Sequence, residues 1–397
     1  MSLDMDSMAD TGAAMRANVA KALGSIADNA VRAENERRVP RENIEALRDA
    51  GFFKSLQPAK YGGTPMGAHE YAPAVVEIAQ SCASTAWASG LLAQHSHMIG
   101  LMSPELQDEI WSDDSDALVS SSVAAINGCT EVPGGVRISG QWGWSSGCDH
   151  ASWAILGFRR EVKELGGMLL PHFAVVPMTD LTIVDDWHVS ALCGTGSKTL
   201  ALDDVFVPEH RIESLPALAS GQSRGFGTHP GIFHAPFTPW FSLGFSAVSL
   251  GISLRFLHLY KERVKTRVRA YTGTAEINSV PAMLRIAESH HQLTAVRATL
   301  ERDWCSMTEH AMSSRLPAPD VAVHWRANQS YATRQAIDAL DRLLSAAGGS
   351  VFFDDSEMQR LWRDSKMTGA HAYSDYDVAR QRHGRQLLGL DPDMTIF

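Results

Sequence analysis

Apolar side chains recur at helical spacing towards both ends of the chain and at strand spacing in its middle. From about residue 13, Met15, Val19, Leu23, Ile26 and Ala30 mark one face of an amphipathic helix that ends near the charged segment 32–38. Pro40 opens a second helix with Ile44 and Leu47 as its buried stripe, and Gly51 suits the left-handed position just past its end. Turn chemistry at Tyr61-Gly62-Gly63-Thr64-Pro65 precedes a run over 69–102 rich in Ala, Leu, Ile and Met, which predicts two buried helices broken at 81–84. Ser103-Pro104-Glu105 restarts a short helix, with Ser at the cap and Pro at the first helical position.

The period changes near residue 113. Short β-type runs at 117–123, 135–144, 153–158, 173–176, 181–184 and 199–207 are separated by Gly, Asp and Pro, predicting a compact β-domain of sandwich or barrel type. Residues 215–240, rich in Gly, Ser and Pro, read as a long loop. Beyond it Ile286, Leu293, Val296 and Leu300, and then Ile337, Leu340 and Leu344, restore the period of a bundle helix. Strands are segregated from helices and no βαβ alternation occurs, so the predicted class is α+β. Its parts are a helical domain over 1–112, a β-domain over 113–215, a loop over 216–240 and a C-terminal helical bundle over 241–397.

Composition narrows the partners. A formal net charge of -10, with no run of Lys and Arg, makes nucleic acid and anionic membrane poor partners. The N-terminus is polar, without an apolar h-region, and no stretch of about 20 apolar residues stands out. Cys82, Cys129, Cys148, Cys193 and Cys305 are scattered, odd in number and free of any CxxC pair, which predicts free thiols in a reducing, cytoplasmic setting.

Candidate chemistry concentrates in Gly140-Gln141-Trp142-Gly143-Trp144-Ser145-Ser146-Gly147-Cys148-Asp149-His150. Continued alternation from Val136 and Ile138 places Trp142, Trp144 and Ser146 on one face and Ser145 on the other. Two indoles and a hydroxyl so placed suit a flat, conjugated molecule; they equally suit a core strand that ends in a turn. No GxGxxG follows a predicted strand and no GxxxxGK[ST] loop is present. His95 and His97 point about 200° apart on a helix, and His290 and His291 are adjacent, so neither pair suits a metal, and none is expected. Cys148 beside Asp149 and His150 is no catalytic dyad, because neighbours on a strand face opposite ways. His95 and His371 read alone as satisfied histidines. Near a flat cofactor, either could deprotonate or orient a phenolic hydroxyl.

The order helical domain, β-domain, helical bundle, with Leu192-Cys193-Gly194-Thr195-Gly196-Ser197 leading to Leu202-Asp203-Asp204-Val205-Phe206-Val207-Pro208, resembles the acyl-CoA dehydrogenase fold. Within that fold, residues 142–153 resemble the oxygenase components of two-component flavin monooxygenases, similar to the steroid-catabolic phenol monooxygenases and the 4-hydroxyphenylacetate 3-hydroxylase oxygenases. Gly51-Phe52-Phe53, Ser84-Thr85-Ala86-Trp87, Ser120-Ser121-Ser122, Gln359-Arg360-Leu361-Trp362-Arg363-Asp364 and His371-Ala372 extend the similarity over nearly the whole chain.

The resemblance implies an α+β, acyl-CoA dehydrogenase-like enzyme that takes reduced FMN or FAD from a separate NAD(P)H:flavin reductase. It implies O2 as cosubstrate and ortho hydroxylation of a small phenolic substrate through a C4a-hydroperoxyflavin, by a homotetramer. Trp87, Ser120, Ser121, Ser122, Trp144, Ser145 and Ser146 would line the flavin, with Ser146 bonded to its N5. His95 and Ser121 would face the substrate, and His95 would hold or deprotonate its hydroxyl. Gly349, Ser350, His371 and Ala372 would reach the flavin from the bundle, His371 assisting oxygen activation, and Arg267 would replace a family arginine that falls near Thr266. His234 stands before Ala235-Pro236 where the family often carries Lys or Arg. No glutamate occupies Gly369-Ala370-His371-Ala372-Tyr373, where acyl-CoA dehydrogenases commonly place their base. Other acceptors of the same oxygen (amine, sulfur or indole), a true dehydrogenase and a non-catalytic flavin-binding subunit are the alternatives.

Overall fold

The computed structural model describes residues 5–163 and 166–392. The N-terminal part comprises α1 (Met5–Asp28), α2 (Ala30–Glu36), α3 (Arg41–Asp49), α4 (Ala68–Ser81), α5 (Ala83–Gly100) and α6 (Pro104–Trp111). The first periodic stretch is thus two helices rather than one, broken at Asn29. Cys82, in extended conformation, breaks α4 from α5 within the predicted 81–84 window.

Eight strands follow among the described residues: β1 (Val119–Asn127), β2 (Cys129–Val132), β3 (Gly135–Ser145), β4 (Trp153–Val162), β5 (Met168–Pro177), β6 (Thr182–Val184), β7 (Lys198–Pro208) and β8 (Ile212–Ser214). They form two four-stranded sheets, ordered β1-β4-β5-β8 and β2-β3-β7-β6. The short strands β2 and β8 were not apparent from alternation. Val136, Ile138, Trp142, Leu156, Phe158, Val176 and Leu200 fill the core between the sheets. Trp142 is 1% exposed, and its indole N–H donates to Gly157 O at 2.6 Å, so the largest side chain of this core carries no unpaired polar atom.

The expected loop over 216–240 is partly helical. It contains most of α7 (Leu215–Ser220), which Ser214 caps by accepting from Ala217 N and which has Pro in its first turn. The bundle then starts earlier than expected, with α8 (Phe237–Thr266), followed by α9 (Val280–Met312), α10 (Pro319–Ala347), α11 (Glu357–Ala370) and α12 (Tyr376–Leu387). Residues 237–254 of α8 carry no charge. The helix is long and apolar enough to cross a membrane, but 89% of its most apolar window is buried inside the protein. α4, α5, α9, α10 and α11 all pack on it. At Gly251 a Cβ would come within 2.5 Å of Val76 O, so α4 and α8 are in near-backbone contact there.

Trp142→Ala removes an indole that is fully buried and hydrogen-bonded, leaving a cavity between the sheets and an orphaned Gly157 carbonyl. We expect a loss of about 3–5 kcal/mol, read from urea unfolding.

Candidate active site

The site begins where β3 breaks its own alternation. Its pairing with β7 shifts register between Trp142 and Ser145, and Trp144 takes φ 69°, a left-handed conformation uncommon for a bulky residue. The bulge corrects the expected common face: Trp142, Ser145 and Ser146 are buried, whereas Trp144 is turned out and 67% exposed. Its indole stands edge-on against Trp187, with centroids 5.2 Å apart.

Behind this indole runs a chain of hydroxyls. Trp87 Nε1 donates to Ser146 Oγ at 3.2 Å, Ser146 Oγ lies 2.7 Å from Ser197 Oγ, and Ser197 Oγ lies 2.7 Å from Thr195 Oγ1. Thr195 Oγ1 lies 2.9 Å from Leu192 O, and a carbonyl only accepts. The direction of the whole chain follows. Thr195 spends its proton on Leu192 O, so Ser197 donates to Thr195 and Ser146 donates to Ser197. Ser146 also accepts from Trp87, and one lone pair remains on its oxygen.

Two histidines approach from opposite helices. His95, on α5, places Nδ1 2.7 Å from Val119 O, so Nδ1 carries the proton; Nε2 is a buried acceptor without a partner. His371, just past α11, accepts at Nδ1 from Tyr373 N at 3.2 Å, so in the neutral ring Nε2 carries the proton and is a donor. Burial pushes both rings down to about 4, and the Arg326 guanidinium adds to the effect at His371. At neutral pH the site thus holds two uncharged imidazoles of opposite tautomer.

Ser120, Ser121 and Ser122 lie on β1 and are buried; Ser120 Oγ has no partner, and Ser122 Oγ donates to Gly143 O at 2.5 Å, tying β1 to the bulge. Ser145 Oγ is likewise buried without a partner. Ala372 O accepts from Arg326 Nη2 at 3.0 Å, and that guanidinium lies 4.8 Å over the Tyr373 ring. Burial pushes the Cys148 thiol up to about 12, consistent with its exclusion as a nucleophile.

Gly349, Ser350 and Arg267 are not in this cluster. Arg263 donates to Ser350 Oγ at 2.6 Å, and Arg267 donates to Ala346 O and Ala347 O at 3.1 and 3.0 Å, all at the C-terminal end of α8. His371 stacks instead on Phe245, near the other end of that helix and about 30 Å away at 1.5 Å per residue. Within one chain these three residues therefore cannot join His371 and Ala372 on one ring system. The length of α8 between the two groups sets this separation within the chain.

Several residues of the cluster went unrecognised in the sequence. Phe237, Phe241 and Phe245 recur every fourth position on α8 and form a ladder: Phe241 is stacked 6.0 Å from His95 and Phe245 4.1 Å from His371. Tyr373 closes the group, 5.0 Å from Phe241. The spacing of the three phenylalanines was the available signal. Thr195 and Ser197 stood only in a motif read for the fold, and Trp187 gave no signal, because a non-periodic segment brings all three in.

The arrangement fits the flavin implied by the resemblance. An exposed indole offers a stacking face, and Ser120 Oγ, Ser145 Oγ and His95 Nε2 are polar atoms the protein itself leaves unpaired. Family comparisons agree. The acyl-CoA dehydrogenase N-terminal domain matches residues 10–111 and the acyl-CoA dehydrogenase C-terminal domain matches residues 243–376. The chain is 47% identical to the p-hydroxyphenylacetate 3-hydroxylase oxygenase component of Acinetobacter baumannii, over 97% of this chain and 92% of that one. It is 32% identical to the FADH(2)-dependent resorcinol hydroxylase oxygenase component of a Rhizobium species, over 90% of each. The structure of XiaF from a Streptomyces species, in complex with FADH2 and glycerol, superimposes with a TM-score of 0.92 at 26% identity, covering 99% of each chain.

Neutral buried rings have a cost in acid. A histidine held near 4 binds fewer protons folded than unfolded, so its contribution is fully present above about 6.5 and is lost as pH falls towards 4. We expect stability to urea to drop between pH 7 and pH 5 by up to about 2 kcal/mol for each such ring. Nitrogen-15 NMR should show His95 protonated at Nδ1 and His371 at Nε2 throughout pH 6–8; a charged ring in that range would contradict the assignment.

Proposed function

The chain belongs to the acyl-CoA dehydrogenase family, among its flavin-dependent monooxygenase oxygenase components, and from that premise we propose that it hydroxylates a small phenol ortho to its hydroxyl. The reduced FMN or FAD comes from a separate NAD(P)H:flavin reductase, and O2 supplies the oxygen atom. The relatives named for p-hydroxyphenylacetate and resorcinol support a phenolic substrate, and the complex with FADH2 supports the reduced cofactor.

The observation that carries this reading is the bare, buried Nε2 of His95, an acceptor waiting for a hydroxyl proton in an otherwise aromatic surround. Full transfer from a phenol with an ordinary pKa of about 10 to a ring near 4 would be uphill by roughly 8 kcal/mol. His95 therefore first accepts a hydrogen bond, and the proton moves as negative charge is drawn from oxygen into the ring. That shift enriches the ortho carbon, the position from which an electron-rich ring attacks an electrophilic oxygen. The product is a catechol.

Reduced flavin, when bound, supplies the electrons that activate O2. Ser146 has one free lone pair, which would accept the N–H that reduced flavin carries at N5 and oxidised flavin lacks, and would hold that proton in place. His371 offers the complementary donor at Nε2. Trp144 gives the ring system a stacking face. The aromatic ladder of α8 gives both imidazoles an apolar wall, which would keep water from a bound substrate. A thioester dehydrogenase reading lacks its base, because no carboxylate lies between Gly369 and Tyr373.

We read the assembly as a homotetramer, a reading supported by the exposed apolar side chains of Val268, Tyr271, Ile277, Val280, Met283 and Leu284 around the junction of α8 and α9. Free cysteines support a reducing, cytoplasmic setting.

The test supplies reduced FMN and 18O2 to the chain with a panel of phenols, indoles and amines. One labelled oxygen atom in a catechol is expected. Label in an N-oxide or an indole product, or in none, would sink the phenol reading. His95→Ala should cut hydroxylation by about 10²–10⁴-fold while O2 consumption continues. Ser146→Ala should raise the peroxide released per O2 roughly tenfold, as expected for loss of one strong hydrogen bond; unchanged coupling would remove Ser146 from the mechanism.

A further inference from the structure

The motif 359–364 of α11 has no part in the reading above, yet it is hydrogen-bonded to a segment that carries part of the active site. Between β6 and β7, residues 185–197 form a strap with little regular structure beyond a single-turn 3-10 helix at Cys193–Thr195. The strap carries three groups of the site: Trp187, which meets Trp144, and Thr195 and Ser197, which complete the hydroxyl chain from Ser146. Trp187 Nε1 is itself held by Cys193 O at 3.0 Å.

The turn begins at Leu192, which is buried and takes φ 47°, ψ 36°. A left-handed leucine persists only where its surroundings fix it. Its carbonyl receives Thr195 N at 3.1 Å and Thr195 Oγ1 at 2.9 Å, and is thus the terminal acceptor that sets the direction of the hydroxyl chain. Its N–H donates to Asp364 Oδ1 at 2.6 Å. Asp364 is 5% exposed, and its neighbour Arg363 bonds Ser190 O of the strap and Glu34 of α2.

Charged and titratable groups surround Asp364 from each element packed there: Glu34 on α2, Cys82 at the junction of α4 and α5, Cys193 on the strap, and Glu357, Arg360 and Arg363 on α11 itself. Burial outweighs both arginines and the Leu192 N–H and pushes the carboxyl up to about 6. A carboxyl raised in this way contributes stability below its ordinary range of about 3.9, and that contribution is lost as pH rises through 6. At pH 8 the charge therefore costs folding stability, and what it supplies is a strong, directed acceptor.

We propose that Asp364 is a positioning residue of the oxygenase site, which through the Leu192 N–H fixes the left-handed turn, and with it the direction of the hydroxyl chain and the seat of Trp187. The proposal rests on the reading of this cluster as the flavin site. It links α11 to both sides of that site, since the same helix ends at His371.

The test compares Asp364→Ala, which removes the acceptor, with Asp364→Asn, which keeps a neutral one. In the flavin-free chain, hydrogen exchange of the Leu192 amide and the rest of 185–197 should rise about tenfold or more in Asp364→Ala, as expected for loss of a hydrogen bond to a charged group. Exchange elsewhere should stay as in the unmodified chain. Asp364→Asn should restore most of that protection and, at pH 8, melt no lower than the unmodified chain. With reduced FMN and O2, Asp364→Ala should release several-fold more peroxide. Unchanged exchange in the strap of a folded Asp364→Ala chain, or a uniform rise across the molecule, would overturn the proposal. If Asp364→Ala does not fold, the proposal stands or falls on Asp364→Asn: protection of 185–197 close to that of the unmodified chain with no fall in melting temperature supports it, and a uniform loss refutes it. A chain that hydroxylates no phenol would defeat the functional reading and leave the exchange result intact.

Discussion

The uncharged run 237–254 of α8 has to be kept from water, and the rest of the molecule is arranged to do so. A helix apolar on every side has no solvent face to offer. It is accordingly surrounded, by α4 and α5 from the N-terminal part and by α9, α10 and α11 from the bundle. The two helical parts are not separable bodies that happen to touch, because one buried helix serves as core to both. Its phenylalanine ladder supplies one wall of the site, α5 brings Trp87 and His95 to that wall, and the end of α11 brings His371. Fully burying each such ring is worth about 2–3 kcal/mol, so the wall stabilises the fold as well as forming the site.

Burial also sets the chemistry. At His95 the hydrogen bond to Val119 favours the charged ring and desolvation opposes it; desolvation wins, and the ring is neutral. With charge removed, each imidazole has one proton and one lone pair, and the backbone decides which nitrogen has which. A carbonyl at His95 and an amide at His371 make opposite choices. The middle of α5 thus presents an acceptor and the end of α11 a donor.

Much of this could be read from the amino-acid sequence, for reasons tied to particular residues. Helical period and cap chemistry located the bundle helices because Leu293, Val296, Leu300, Leu340 and Leu344 face the core. Alternation found Trp142 but failed two residues later, since nothing in a period of two announces a left-handed tryptophan. Motif resemblance named His95, Ser146 and His371 at positions the fold brings together. It also named Arg267, Gly349 and Ser350, which the length of α8 keeps apart from them. Asp364 lay within a recognised motif, but its partner is a backbone N–H 172 residues away, and a contact of that kind has no sequence signature.

Two strained residues flank the site, Trp144 and Leu192, and both are left-handed without being glycine. Strain of this kind survives only when packing and hydrogen bonds over-determine it. Here the restraints are visible: the Trp187 edge against Trp144, the Ser122 bond to Gly143 O, and the bonds at both ends of the Leu192 peptide. These restraints connect to one another through the strap and the hydroxyl chain, so neither strained residue can relax without disturbing Ser146. A site that had to be assembled by its ligand would spend binding energy on ordering these groups. Held as they are, the stacking face, the free lone pair of Ser146 and the two imidazoles stand in place before any flavin arrives.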